Sequence, residues 1–287
     1  MTVPQAEFGG NTMKMGTSVD PALEVKYLSE KQDVSFEDAW YDAVEPTHFW
    51  MQWRHRVFLN MVADLGLTQR PLRALEIGGG NGVARDLIER DTPWTVDMAD
   101  LNAVALDMAR PGRGETLLYN ALDLLPDRVG QYDVVILFDV VEHIENPRPF
   151  LEAAVAHLRP GGHLFINVPA LQPLYSIFDK VLGHFRRYNR ATLRGELVGL
   201  PTRILECRYW GLLLLPVLVA RTTLFNLTRK NDDPKRIAQE GVKPPNGFAA
   251  TVLHSLRRIE TSLLKRPVLG TSVMAAAVKT DDARDQG

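Results

Sequence analysis

The sequence predicts an α/β protein built on a mainly parallel sheet with helices on both faces. Three observations lead to it. Strand-like and helix-like patterns alternate through the middle of the chain, which is how a sheet joined by helical crossovers reads. Tyr132 to Phe138 is a continuous apolar run of the kind covered on both faces by helices. Ala74-Leu75-Glu76-Ile77-Gly78-Gly79-Gly80-Asn81-Gly82 sets a buried strand against a glycine-paved turn that opens a helix over Val83 to Arg90.

The elements follow in order. Residues 1–30 are polar with scattered glycine, lack the apolar stretch of a signal peptide, and are expected to be largely disordered. Residues 31–70 form a helical cap, in which His48 to Leu65 spaces Phe49, Trp50, Trp53, Val57, Phe58 and Met61 as one apolar face. The main domain spans 71–287. After the glycine turn, Trp94 to Ala99 is a short apolar run, Ala103 to Arg110 has helical spacing, and Leu117 to Asn120 is a short strand. Pro147 to Leu158 is a helix, and Arg159-Pro160-Gly161-Gly162 a tight turn into a strand over His163 to Val168. Ile204 to Trp210 and Thr271 to Lys279 are two further strands. Insertions at 170–200 and 211–267 carry apolar helices over Leu171 to Leu182, Leu212 to Leu227 and Phe248 to Leu264, with a charged linker from Lys230 to Asn246.

Composition narrows the function. The 287 residues are 45% hydrophobic and 24% charged, which suits one substantial soluble core. A net charge of −2, without a basic stripe interleaved with aromatics, argues against a nucleic-acid partner. Cys207 is the only cysteine, so neither a disulfide framework nor a thiolate zinc site is available, and a reducing, cytoplasmic location is expected. The longest apolar run, Leu212 to Ala220, is far shorter than the roughly 20 residues that span a bilayer. It suits a buried helix, an apolar pocket, or peripheral contact with a membrane surface.

Glycines at 78, 80 and 82 let the backbone bend sharply and approach a ligand without a Cβ in the way, beside the unpaired N–H groups of a helix start. That is a seat for a nucleotide cofactor. A dinucleotide fingerprint requires glycine at position 83, where this chain has Val83, so a nicotinamide-dependent oxidoreductase is disfavoured. Glu76 precedes glycines spaced every second residue. Asp100-Leu101-Asn102 closes the next strand, where a carboxylate can accept both ribose hydroxyls or simply cap the following helix.

These ordered motifs resemble the class I S-adenosylmethionine-dependent methyltransferases of the small-molecule kind, similar to types 11 and 12. "Glu-His" at 142 and 143 and "Arg-Pro-Gly-Gly" at 159 to 162 extend the likeness. A bacterial subgroup is matched by His48-Phe49-Trp50 with Arg54, and by Val168-Pro169-Ala170, Asp179 and Gly183 to Tyr188. The resemblance implies a Rossmann-like sheet of seven strands, the last antiparallel, with helical lids. It implies S-adenosyl-L-methionine as cofactor and S-adenosyl-L-homocysteine as product. Cofactor contacts are expected from Arg54 (to the methionine carboxylate), Glu76, Gly78, Gly79, Gly80, Asp100 and Leu101 (ribose), Asp123, with Asn120 as its alternative, and Leu124 (adenine), and Asp139. The family's DNA-base methylases carry Asn-Pro-Pro-aromatic where this chain reads Asp139-Val140-Val141-Glu142.

Methyl transfer from a sulfonium is an in-line displacement, so positioning dominates, and a base is needed only for a hydroxyl or a protonated amine. His143 and His184 are the candidate bases; His143 can equally brace its loop. Arg186, Arg187, Arg190 and Arg194 fall within nine residues and suggest an anionic feature on the acceptor, or else a solvated cationic helix start. Substrate contact is assigned to Arg187, Tyr188 and Trp53. Asp139, Glu142 and His143 form an alternative metal group like that of some quinone and RNA-end methyltransferases, with His184 as the available second histidine. The expected activity is methylation of an anionic or apolar small molecule by a monomer or homodimer. Oxygen is favoured as the acceptor, in secondary or cell-envelope metabolism, with nitrogen next; a scaffold that binds the cofactor without chemistry is the remaining rival.

Overall fold

In the computed structural model the described residues are 23–30, 45–228 and 247–281, with Asp233, Arg236, Ile237 and Glu240 between the last two stretches. Among these residues eight strands form one sheet: β1 (Val25–Tyr27), β2 (Arg73–Ile77), β3 (Thr95–Asp100), β4 (Thr116–Leu118), β5 (Tyr132–Phe138), β6 (Leu158–Pro169), β7 (Thr202–Trp210) and β8 (Ser272–Lys279). Their spatial order is β1-β4-β3-β2-β5-β6-β8-β7. Every pairing from β1 to β6 is parallel, and β8 runs antiparallel between β6 and β7. The expected antiparallel last strand is present.

The sheet has one strand more than the seven expected. Val25–Tyr27 adds to the edge by pairing with Thr116–Leu118, and Leu23 and Val25 pack on Met98, Leu106 and Leu118. Three residues carry too little alternation to stand out, so the polar composition around them hid the strand. The rest of the expected disordered terminus, residues 1–22, lies outside the described residues, as do 31–44 of the cap and most of the 230–246 linker.

Among the described residues eight helices flank the sheet: α1 (Phe49–Asp64), α2 (Val83–Asp91), α3 (Ala103–Asp107), α4 (Pro147–His157), α5 (Ile177–Val181), α6 (Arg190–Leu197), α7 (Leu215–Thr228) and α8 (Phe248–Leu263). The side-chain period of two along β5 explains the two layers. Val135 and Leu137 face one core with Leu151, Val155, Leu193 and Leu197 of α4 and α6. Val134, Ile136 and Phe138 face the other, with Trp53, Val57, Phe58 and Met61 of α1 and Ala84 and Ile88 of α2. Both faces are therefore covered, as the continuous apolar run requires.

The single helix expected over Leu171 to Leu182 is instead a 3₁₀ turn at Gln172–Leu174 followed by the short α5. The break comes at Tyr175-Ser176, where the N–H and hydroxyl of Ser176 both donate to Asp179 Oδ2, at 2.8 and 2.9 Å, and start a new helix. The Arg159 to Gly162 turn lies within β6 as an irregularity, with Gly161 at φ +72°.

Candidate active site

The carboxyl ends of β2 and β3 carry the glycine turn. Gly78 (φ +79°) donates its N–H to Ala99 O at 2.8 Å, and Gly80 (φ +55°) donates to Asp100 Oδ2 at 2.7 Å. The turn is tightly seated: a Cβ on Gly78 would lie 2.4 Å from Val140 Cγ2, and one on Gly79 would lie 2.2 Å from Met98 Cγ. Gly82 (φ +80°) then opens α2. Asp100 accepts from the backbone N–H groups of Gly80, Leu101 and, at 2.8 Å through Oδ1, Asn102. Burial raises its pKa against those hydrogen bonds. The cap of α3 is Asn102, whose Oδ1 accepts from Ala105 N–H at 3.1 Å, so helix capping does not occupy Asp100.

Glu76 stands on β2 beneath this turn, 2% exposed. Its Oε2 has no hydrogen-bond partner among the described residues. Burial pushes its pKa up to about 7, against the opposing charges of Arg54 and Arg85. A buried carboxylate kept short of partners favours a cationic or hydrogen-bond-donating ligand.

Arg54 reaches the same edge from α1. Its Nη1 donates to Asp139 Oδ2 at 2.6 Å, and its guanidinium lies 4.7 Å from the centre of the Phe138 ring. Asp139 itself has φ +58° at the end of β5. Asn167 Nδ2 donates to Asp139 Oδ1 at 2.6 Å, and Trp210 Nε1 donates to Asn167 Oδ1 at 2.8 Å. Sequence reasoning missed Asn167 and Trp210. The available signal was the lone amide in the apolar run Phe165-Ile166-Asn167-Val168, a buried polar group that needs partners.

Beyond Asp139 the chain turns through Val141–His143. Glu142 is fully buried, and neither carboxylate oxygen has a partner among the described residues. Burial, with the nearby Asp139 charge, raises its pKa well above the carboxylate range. The rings of His143 and His184 meet edge to face at 4.6 Å. Burial and the neighbouring His184 hold His143 down at about 3, so it is neutral at pH 7. Glu142, His143 and His184 each present a ligand atom within 4.8 Å of the others.

The insertion that carries His184 is organised on Asp179, which is fully buried. Asp179 accepts from Arg187 Nε and Nη2 at 2.8 and 3.0 Å, and His184 Nδ1 lies 3.1 Å away. His184 and Arg187 hold the Asp179 carboxyl well below the usual range despite its burial. Arg187 is thus half of an internal ion pair. Arg186 donates to Glu145 O, while Arg190 donates to Pro267 O and stacks on Tyr209. The expected cluster of cations does not converge on one point, because these three guanidiniums each close a contact within the chain. Tyr188 is 1% exposed in the core, where its backbone bonds to Pro169 and Leu171. Trp53 is also fully buried, beneath the sheet among Phe58 and its neighbours, rather than lining the open edge. Asp123 and Leu124 lie exposed past β4, with Asp123 accepting from Ser29 Oγ; Leu101 is half-buried.

Comparison with known proteins agrees with this architecture. The family model described as "Methyltransferase domain" matches residues 44–210. Among curated relatives, a ubiquinone biosynthesis O-methyltransferase of Marinobacter nauticus is 32% identical over 115 residues, 37% of this chain and 48% of that protein. One from Vibrio parahaemolyticus is 26% identical over 164 residues, 54% and 65% of the two chains. The chain spans about half the length of the curated relatives it matches first. Two solved structures share the fold. Phosphoethanolamine N-methyltransferase 2 of Haemonchus contortus, with phosphomonomethylethanolamine and S-adenosylhomocysteine, has a TM-score of 0.50 at 16% identity and covers 86% of this chain and 61% of that one. The [4+2]-cyclase SpnF has a TM-score of 0.50 at 16% identity, with coverage of 78% and 80%.

Proposed function

The chain belongs to the methyltransferase domain family, and from that premise we propose that it transfers a methyl group from S-adenosylmethionine to a hydroxyl of a small-molecule acceptor. The observation that carries the reading is the tight glycine turn held to Asp100, with the under-partnered Glu76 below it and Arg54 beside it. Glu76, Gly78, Gly79, Gly80, Asp100 and Leu101 would hold the nucleoside end of the cofactor, and Arg54 and Asp139 the amino-acid end. Asp123 and Leu124 would border the adenine. The cofactor supplies a methyl group on a sulfonium, open to in-line attack. The protein's task is to hold the acceptor oxygen in line, exclude water and take up the hydroxyl proton.

Two histidines stand at the edge where that proton leaves. His143 is neutral at pH 7, and His184 is oriented by Asp179. A neutral imidazole can accept a proton, but one held down at about 3 is the weaker base, so the larger part falls to His184 with the Asp179 carboxylate behind it. Oxygen as acceptor is supported by the curated relatives, which are ubiquinone biosynthesis O-methyltransferases. The direct test is transfer of an isotopically labelled methyl group to catechol and phenol acceptors against matched amines. Labelling of the hydroxyl compounds alone supports the proposal; labelling of the amines alone replaces it with N-methylation.

A second reading, metal-assisted O-methylation, is favoured by one observation. Glu142, His143 and His184 converge with the spacing of a ligand set, and Glu142 is a buried carboxylate with no other partner among the described residues. These three residues would hold a divalent cation, which would acidify an acceptor hydroxyl bound to it. Peripheral contact with a membrane, and an acceptor drawn from cell-envelope metabolism, also belong to this proposal; among the described residues, no helix is long and apolar enough to cross a membrane.

A further inference from the structure

Away from the methyl-transfer site, α1 and α8 enclose an open cleft of about 540 Å³ lined by Arg56, Arg257, Arg258, Lys265, Asn60 and Thr261, with Ser262 at its rim. We infer that this cleft recognises phosphate groups and docks the protein on an anionic phospholipid surface. The inference deepens the membrane contact included in the proposed function and rests on that part of it, while its binding readouts do not depend on methyl transfer.

The charge balance is one-sided. Four cations line the cleft and no carboxylate does. The acids of the two helices are Asp64 and Glu260; neither lines the cleft, and Asp64 is shared between Arg208, Arg266 and the nearby charge of Lys265. Asp64 accepts from Arg208 at 2.8 Å and lies 3.5 Å from Arg266. Glu260 is buried and accepts the backbone N–H groups of Gly211 and Leu213, fixing the start of the second insertion. Among the described residues none of Arg56, Arg257, Arg258 and Lys265 forms an ion pair. The Arg257 side chain has, among the described residues, one long hydrogen bond, 3.4 Å to Gln52 Oε1, and its Nε is buried with no partner there. Burial and the facing cations Arg56 and Arg258 hold Arg257 below its ordinary pKa, which is the strain an incoming anion relieves. Guanidiniums in a fixed fork suit phosphate oxygens.

The apolar half of α8 commits the ligand to a lipid. Phe248, Val252, Ile259 and Leu263 recur on one stripe of this helix and are all exposed, Phe248 by 84% and Leu263 by 77%. Val268 and Leu269, a few residues past the helix, are exposed as well. A helix with an exposed apolar stripe and long cationic side chains on its polar flank is built to lie in a bilayer interface, with headgroup phosphates beside it.

The test is sedimentation of the full chain with vesicles of neutral phosphatidylcholine, or of phosphatidylcholine mixed with phosphatidylglycerol, and calorimetry with pyrophosphate. The expected result is binding to the mixed vesicles that weakens as salt rises, and weakens roughly fivefold for each cation removed in R56Q, R257Q and R258Q. I259S/L263S is expected to lose vesicle binding while keeping pyrophosphate binding. Binding of neither vesicles nor pyrophosphate, salt-insensitive binding by the wild type, or unchanged binding by the folded triple variant overturns the inference. Pyrophosphate binding without vesicle binding overturns its lipid part.

Discussion

Arg54 Nη1 donates to Asp139 Oδ2 at 2.6 Å, tying the helical cap to the end of the central strand β5. The two residues are 85 positions apart in sequence, and only 7% and 23% of their side chains are exposed. This pair brings α1 over the edge where the glycine turn opens, and Asn167 holds the second oxygen of Asp139.

Replacing Arg54 with methionine therefore removes the contact to Asp139 and, in the proposed function, the cation that holds the cofactor's carboxylate. We expect S-adenosylhomocysteine affinity to fall by about 1.5–3 kcal/mol, roughly 10- to 150-fold. Arg54→Met with Asp139→Asn should regain thermal stability, because no unpaired charge stays buried, but not affinity. Calorimetry and melting curves separate the two effects; full affinity in Arg54→Met would remove the residue from the site.

Glu76 gives a pH signature. Its pKa rises from 4.5 in the unfolded chain to about 7 in the fold. The folded state therefore holds a proton that the unfolded state releases, and Glu76 costs stability progressively as pH climbs through that window. The effect is at most about 3 kcal/mol. Glu76→Gln should match the wild type near pH 4.5, gain on it up to about pH 7, and hold a constant advantage above. A melting-temperature difference that does not change with pH contradicts this.

Gly78→Ala tests the turn. The new Cβ would meet Val140 Cγ2 at 2.4 Å, at a φ of +79° that an alanine rarely adopts. A loss of about 2–5 kcal/mol follows from strain and overpacking together. The Val140→Ala background should restore part of it, read by chemical denaturation.

Asp179→Asn leaves the buried Arg187 without its charge partner and His184 without its orienting carboxylate. The expected cost is roughly 3–5 kcal/mol. If Arg187 serves mainly this pair, Arg187→Met combined with Asp179→Leu folds and retains acceptor KM; a large rise in KM alone would return Arg187 to substrate contact.

For the Glu142, His143 and His184 group, manganese calorimetry on wild type and His184→Ala decides between readings. Binding lost in the variant, with activity lost on chelation, supports the metal-assisted mechanism. Activity untouched by chelators leaves the histidines as proton acceptors.

Much of this was legible in the chain because the sheet's strands are long and apolar and its turns are spelled in glycine. Glu76, Gly78 to Gly80, Asp100 and Asp139 sit on one sheet edge because each ends a strand, and strand ends are readable. The remainder depends on contacts between distant segments. Nothing local marks Asn167 as the partner of Asp139, or Asp179 as the partner of Arg187; the arginine run looked like an anion site because its carboxylate lies eight residues upstream on another element. Val25–Tyr27 is too short to carry a pattern and takes its strand form from β4.

The most direct test is calorimetric titration of the purified chain with S-adenosylhomocysteine, with NADH as control and Asp100→Ala alongside. The account predicts one tight site for S-adenosylhomocysteine, weakened in the variant, and no heat from NADH. Absence of S-adenosylhomocysteine binding, or binding of NADH in its place, would contradict it.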